Sequence, residues 1–303
     1  MKKAESDIVN GIDLAVGADE AFTLVSDVAG LRKWFAEDVS IDPQVGGEFT
    51  FAGDGAYQPT STTLTRYEPG RLLAWDWPLH GVVGQVTLEV SPKDDDAAKA
   101  RVDVTSSFSK LPDMPRAREL IDDLWRSHLG NLKALTEGGK RVLLPDFGDP
   151  TLEVRQSIHI AAPRAAVFQA LVDPAMLKEW TMFGKPDVDL QVGGKYSYGW
   201  VYEAGDRTID GGPTRIIDLE QDVRLVTDWL DWRGDDTNNC QKITWLLEDE
   251  DGGTKLTLVH DGFARAADMS DFPFGWVGFL GGIERAVAKA QTSAPVANAG
   301  ANA

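Results

Sequence analysis

The chain of 303 residues contains one cysteine, Cys240. A lone thiol excludes an internal disulfide and any zinc site built from several cysteines, and it reads as a small buried or half-buried side chain. No run of about 18 apolar residues occurs, so no segment is long enough to cross a bilayer as a helix. The opening "MKKAESDIVNGIDLAV" (1–16) has two lysines but no uninterrupted apolar stretch behind them, as a secretory leader would require. The expectation is a cytoplasmic protein with no membrane partner. Histidine is scarce: His80, His128, His159 and His260 are dispersed, and no two stand four apart on a helix beside a carboxylate. No metal site and no cofactor are therefore expected. Basic residues are outnumbered, 30 against 48 acidic, for a net charge of −18. Such a surface repels phosphate backbones, and no basic stripe with interleaved aromatics offsets it, so nucleic acid is not an expected partner. A nucleophile elbow, a phosphate-binding glycine loop and a dinucleotide fingerprint are all missing; "GDGAYQ" (53–58) lacks their spacing and context.

What the chain has is a phrase written twice. "PQVGGEFTFAG" (43–53) returns as "LQVGGKYSYGW" (190–200), and "IDLAVGADEAFTLVSDVAGLRKWF" (12–35) returns as "IHIAAPRAAVFQALVDPAMLKEWT" (158–181). Ile12/Ile158, Phe22/Phe168, Asp27/Asp173, Leu31/Leu177 and Trp34/Trp180 match at a constant offset of 146 (158 − 12). This is a domain duplication, and the length suits two domains of about 150 residues. The expected division is 1–143 and 151–291, with 144–150 as a linker holding Pro145 and Pro150, and 292–303 as a tail too rich in small residues to fold.

Each copy reads the same way. An alternating strand comes first (Ile8, Asn10, Ile12, Leu14; Val154, Gln156, Ile158, Ile160), then a helix and a shorter second helix ending near the tryptophan. The Gly-Gly pair allows a tight entry into a strand on which Phe49/Phe51 and Tyr196/Tyr198 share one face. Four strand-like stretches follow as an antiparallel meander: "TSTTLTRY", "RLLAWDW", "GQVTLEV" and "ARVDVTSSF", against "GGPTRIIDL", "RLVTDWLDW", "KITWLLED" and "TKLTLVHDGF". The acidic runs "KDDD" (93–96) and "EDEDGG" (248–253) fall between strands and read as solvated hairpin loops rather than metal ligands. A long helix closes each copy, 117–137 and 274–291. Their apolar stripes run Ile121, Leu124, Trp125, His128, Leu132, Leu135 and Trp276, Phe279, Leu280, Ile283, Val287.

With "APRAAVFQALVDPAMLKEW", "VGGKYSYGW", "RLVTDW", "TKLTLVHDGF" and the terminal "GW" helix, the second copy resembles the START-like (SRPBCC) superfamily. The resemblance is to the subgroup named after the C-terminal domain of the activator of heat-shock protein 90 ATPase. The first copy is similar with departures: "AVGADEAF" lacks the alanine-proline, and "TSSFSK" stands where the second has "HDGFAR". The resemblance implies an α+β fold of two tandem helix-grip domains. In each, a curved antiparallel sheet wraps the C-terminal helix and a cavity opens between them. It also implies the binding of a small hydrophobic or aromatic molecule, or cyclase/dehydratase chemistry on a polyketide-like substrate in the first cavity, or an interaction module with a filled pocket. Heat-shock protein 90 is not an expected partner, because the place of the activators' chaperone-binding domain is taken here by another START-like copy. Tandem START-like chains resemble the didomain aromatase/cyclases in architecture.

The chain holds ten tryptophans. Rings give a cavity wide rigid walls and indole N–H groups orient polar atoms, although a filled core would use the same residues. The expected pocket residues are Trp34, Phe49, Phe51, Trp75, Trp125 and His128 in the first copy. In the second they are Trp180, Tyr196, Tyr198, Trp229, Trp245, Trp276 and Phe279. His128 is the candidate catalytic group, because it stands on the apolar stripe one turn from Trp125 and Leu132, where the second copy has Phe279; a hydrogen-bonded core histidine is the plainer alternative. His80 and His159 read as surface groups, and His260, which pairs with Ser106 in the first copy, as a structural cap. The tyrosine hydroxyls predict a more polar wall in the second copy.

Overall fold

The computed structural model describes residues 7–79, 81–93, 96–113, 117–144, 151–182, 184–204, 207–230, 240–264, 266–269 and 272–293. The chain forms two compact units, one of residues 1–152 with 264–274 and the other of 153–263 with 275–303.

In the first unit the strands are β1 (Ile8–Leu14), β2 (Asp38–Ile41), β3 (Glu48–Ala52), β4 (Thr60–Glu68), β5 (Leu72–Leu79), β6 (Val82–Lys93) and β7 (Asp96–Phe108). They form one antiparallel sheet ordered β1-β7-β6-β5-β4-β3-β2, so the first strand pairs with the last and Ile8 faces Ser106. The helices are α1 (Ala18–Ser26), α2 (Val28–Leu31) and α3 (Ala117–Thr136). α1 carries Asp19 and Glu20 in its first turn, where the helix dipole favours negative charge, and buries Ala21, Phe22 and Val25 on one side.

The second unit repeats this order. β8 (Val154–Ile160), α4 (Arg164–Val172) and α5 (Pro174–Trp180) lead to the short strands β9 (Asp187–Val188), β10 (Tyr196–Ser197), β11 (Trp200–Ala204) and β12 (Arg207–Gly211). Then come β13 (Ile216–Glu220), β14 (Arg224–Asp228), β15 (Lys242–Glu250), β16 (Gly253–Asp261), α6 (Ala266–Met269) and α7 (Phe272–Ser293). The main sheet is ordered β13-β14-β15-β16-β8, and again first meets last, with Val154 facing His260. β10-β9 and β11-β12 are separate two-stranded ladders, joined to the rest by the bridges Lys195↔Arg215 and Gly212↔Leu230 and by backbone bonds between Gly193, Gly194 and Ile216.

The positions that match in sequence have matching physical tasks. Asp27 caps α2 by accepting from Ala29 N at 2.8 Å, and Asp173 caps α5 by accepting from Ala175 N and Met176 N at 2.8 and 3.0 Å. Trp34 Nε1 donates to the carbonyl of Leu24 at 3.0 Å, and Trp180 Nε1 to that of Ala170 at 2.8 Å. Both carbonyls lie in the last turn of the first helix, where no intrahelical donor remains. In the QVGG turn, Gly46 N donates to Leu64 O and Leu64 N to Gly47 O; Gly193, Ile216 and Gly194 make the same pair of bonds. Gly46 and Gly193 stand at φ 78° and 81°, and a Cβ on Gly47 or Gly194 would lie 2.1 or 2.2 Å from the carbonyl oxygen of Asp42 or Asp189. The phrase is repeated because only two glycines let this turn clip onto the neighbouring strand.

Some expectations need correction. Cys240 is exposed rather than buried or half-buried, because it sits in the turn before β15. α7 runs through Ser293, beyond the expected start of the tail at 292. Leu144, assigned to the linker, is buried, and the chain before it is anchored by Asn131. That side chain donates to Val142 O at 2.9 Å and accepts from Val142 N at 2.8 Å. Pro145, Pro150, His80, the centre of the "KDDD" run (94–95) and tail residues 294–303 lie outside the described residues. "EDEDGG" is the β15–β16 hairpin turn, in which Glu250 faces Gly253. His159 is exposed, with Nε2 3.0 Å from the carbonyl oxygen of Glu250.

Candidate ligand-binding site

In the first unit, β3 presents Phe49 and Phe51 on one face, β5 presents Trp75 and Trp77, and α3 lays Leu124, Trp125 and His128 against them. The turn after α2 adds Phe35, and the glycine-rich segment after β3 adds Gly55, Ala56 and Tyr57. Phe35, Phe51, Gly55, Ala56, Tyr57, Trp75, Trp77, Leu124, Trp125 and His128 surround a void of about 10 Å³. That is room for about one water molecule. The ring centroids interlock: Phe35–Phe51 at 5.0 Å, Phe35–His128 at 5.1 Å, Trp125–His128 at 5.9 Å, Trp77–Trp125 at 6.0 Å and Trp75–Trp125 at 6.3 Å. Trp34 stands edge-on to His128 at 6.3 Å and Phe49 edge-on to Trp75 at 5.2 Å, both behind the wall rather than in it.

His128 is 2% exposed, and its Nδ1 lies 3.4 Å from the carbonyl of Trp34. Burial pushes its pKa down to about 4; the charge of Arg141 acts in the same direction, and backbone hydrogen bonding at Trp34 and Gly55 opposes it. The ring is therefore neutral at pH 7. Trp125 Nε1 donates to Ser106 Oγ at 2.9 Å. The indole nitrogens of Trp75 and Trp77 are buried and have no hydrogen-bond partner.

The second unit gathers Trp180, Tyr196, Tyr198, Trp229, Trp245, Trp276 and Phe279 into one cluster. Trp180–Tyr198 centroids lie at 5.3 Å, Trp180–Trp245 at 6.1 Å, Trp229–Trp276 at 5.1 Å and Trp276–Phe279 at 5.5 Å. Some of its polar groups are engaged internally, whereas Trp245 Nε1 and Thr181 Oγ1 are buried without a hydrogen-bond partner. Trp276 Nε1 donates to His260 Nδ1 at 3.1 Å, which fixes the proton of the neutral imidazole on Nε2, 2.9 Å from Gln241 Oε1. Tyr196 donates its hydroxyl to the carbonyl of Leu171 at 2.6 Å. Burial pushes both the Tyr196 and the Tyr198 hydroxyl upward in pKa. Of the expected polar wall, the Tyr196 hydroxyl is thus spent on a backbone carbonyl. Phe279 alone of the seven is only half-buried. A separate cavity of about 540 Å³ in this unit is lined by Lys185, Asp187, Lys195, Ser197, Asp210 and Thr214 among others, and none of the expected pocket residues borders it. Among the described residues no group of three or more His, Cys, Asp or Glu side chains is placed to hold a metal ion, and no helix is long and apolar enough to cross a membrane.

The structure therefore brings the expected residues into two aromatic clusters, one per unit. Trp77 is among the tryptophans whose position on a strand suits a cavity wall; Phe35 and Tyr57 in the first, and Trp200 and Gln241 in the second, were not expected there. Comparing Phe35 with its match Thr181 would have exposed one difference: a ring in one copy faces a buried hydroxyl in the other.

Two sheets, each grasping a C-terminal helix through tryptophan, define a tandem α+β helix-grip protein. Residues 161–288 match the family model described as activator of Hsp90 ATPase homolog 1-like protein, and residues 6–137 match polyketide cyclase / dehydrase and lipid transport. The chain is a tandem pair of START-like (SRPBCC) domains. Solved structures similar to it include DynU16, from the dynemicin biosynthetic locus, at 16% identity over 94% of this chain and 100% of that one, TM-score 0.42. Another is BexL, the di-domain ARO/CYC of the BE-7585A biosynthetic pathway, at 16% identity over 93% and 98%, TM-score 0.36. The Aha1 dimer from Colwellia psychrerythraea is 19% identical over 44% of this chain and 98% of that one, TM-score 0.37. No curated protein matches the chain.

Proposed function

We propose that the first domain binds a small hydrophobic or aromatic molecule between its sheet and α3. The observation that carries this reading is the void at His128, walled by rings yet bordered by buried polar groups without partners. Each unmatched buried donor costs about 1–3 kcal/mol, so two of them, Trp75 Nε1 and Trp77 Nε1, on residues lining one void favour an acceptor there. The void is far smaller than a drug-sized ligand needs. Entry therefore requires a wall to move, and one of the walls is the segment carrying Gly55, Ala56 and Tyr57, next to which Gln58 Nε2 donates to the carbonyl of Pro78 at 2.9 Å. Native mass spectrometry of the freshly purified chain, with calorimetric titration of tetralin and 1-tetralone, tests the proposal. A retained small molecule or saturable binding of either compound is expected. Neither result appearing would overturn it.

A second reading rests on His128 itself. A neutral imidazole has one N–H and one lone pair, so this buried ring at the wall of the void can donate to or accept from a substrate, although a pKa of about 4 makes it a weak base at neutral pH until a ligand's charge raises it. Cyclase or dehydratase turnover on a polyketide-like substrate, lost in His128→Phe, would favour catalysis; binding without turnover favours a carrier. The second domain, in which Trp276, His260 and Gln241 are bonded in a chain, fits a filled module that supports the first.

A further inference from the structure

The void in the first domain has the volume of about one oxygen-bearing group, and two of its walls are tryptophans whose indole N–H groups lack acceptors. Trp75 and Trp77 are 2% and 3% exposed and stand two apart on β5, so both rings face the same side of the sheet. Neither indole has an equivalent of the bond that Trp34 makes to Leu24 or Trp125 to Ser106. An indole nitrogen only donates, so both groups call for an acceptor. Apart from the rings, the void is bordered by Gly55, Ala56, Leu124 and the neutral His128. Among the described residues no charged side chain lines it, and a carboxylate ligand would lose its hydration without gaining a counter-charge from them.

We infer that the site selects oxygenated aromatic molecules: a neutral carbonyl or phenol oxygen of the ligand occupies the void and accepts from Trp75 Nε1 and Trp77 Nε1, while the ring system lies among Phe35, Phe51, Tyr57 and Trp125. This rests on the ligand-binding reading above. A hydrocarbon of the same shape fills the same walls but leaves both indoles unmatched, so it binds more weakly. A buried water could satisfy the same donors, and in that case the ligand's oxygen would gain it nothing.

The test uses the full chain and two probes differing by one oxygen, 1-tetralone and tetralin, measured by titration calorimetry. 1-Tetralone is expected to bind at least tenfold more tightly. In Trp75→Phe and Trp77→Phe, which keep a ring and remove the N–H, that preference should fall to under threefold while tetralin affinity changes little. Equal affinities in the wild-type chain, or a preference that survives both substitutions, overturn the oxygen subsite and leave hydrophobic binding standing. Binding of neither probe overturns the ligand reading together with it. If a thermal melt shows that a variant has not folded, the comparison of the two probes on the wild-type chain decides.

Discussion

Trp276 and His260 are joined by an indole-to-imidazole hydrogen bond of 3.1 Å, and the matching pair in the first domain, Trp125 and Ser106, is joined at 2.9 Å. The strand register makes them equivalents, since Ile8 faces Ser106 as Val154 faces His260. The same tryptophan therefore ties the last helix to the last strand in both copies, through a hydroxyl in one and an imidazole in the other. The imidazole reaches further, to Gln241, and converts one bond into a chain of two.

Substitutions at the two acceptors should have unequal costs. His260→Leu leaves both the Trp276 N–H and the Gln241 oxygen without this partner, whereas Ser106→Ala leaves only the Trp125 N–H. His260→Leu removes two hydrogen bonds and Ser106→Ala one, at about 0.5–1.5 kcal/mol each, so His260→Leu should be the more destabilising in guanidinium unfolding. Equal losses would show that the Gln241 link contributes nothing.

His128 should make stability depend on pH. Its folded-state pKa of about 4 lies below the ordinary 6.5, so between these values the unfolded chain binds the proton and the folded one does not. Stability from this group is full above about pH 6.5 and declines as pH falls towards 4, by on the order of 3 kcal/mol in all. His128→Phe, with the ring that the second domain already carries as Phe279, should remove that slope. The check is urea unfolding of both proteins from pH 7 to 4; parallel curves would be evidence against it.

In the QVGG turn, adjacent glycines should differ. An added Cβ at Gly46 meets nothing within 4 Å, so Gly46→Ala bears only the strain of φ 78°, about 1 kcal/mol. At Gly47 the Cβ would lie 2.1 Å from the Asp42 carbonyl, and the turn must deform. Gly47→Ala should lower the melting temperature more than Gly46→Ala, and Gly194 should exceed Gly193 in the same order.

Repetition made the scaffold readable. Asp27/Asp173 and Trp34/Trp180 are local, acting within a turn or one short helix pair, so their tasks leave a fixed spacing in the sequence. His128 was readable because its helix places it on an apolar stripe. Phe51, Trp75 and Trp125, expected in the pocket, also line the void, but other parts of the first site were not readable. Phe35 follows α2 in an irregular turn with no period, and Tyr57 belongs to a glycine-rich segment that resembles a surface loop but is buried. Gln241 looks like any polar residue at a strand start, and its burial follows from meeting His260 one strand away. The pocket-lining role of the aromatic rings was open in the sequence for a physical reason: a wall and a filled core require the same side chains, and only packing separates them.

The pairing of first strand with last sets the order in which each domain can be completed during synthesis. Ile8 meets Ser106 across 98 positions (106 − 8) and Val154 meets His260 across 106 (260 − 154). At about 5–20 residues per second, each opening strand emerges from the ribosome roughly five to twenty seconds before its partner exists. Meanwhile its backbone groups are unpaired and its apolar face is uncovered. Asn10, Gly11 and Asp13 interrupt β1, and Arg155, Gln156 and His159 interrupt β8. These residues make each strand a poor template for another nascent chain while it waits.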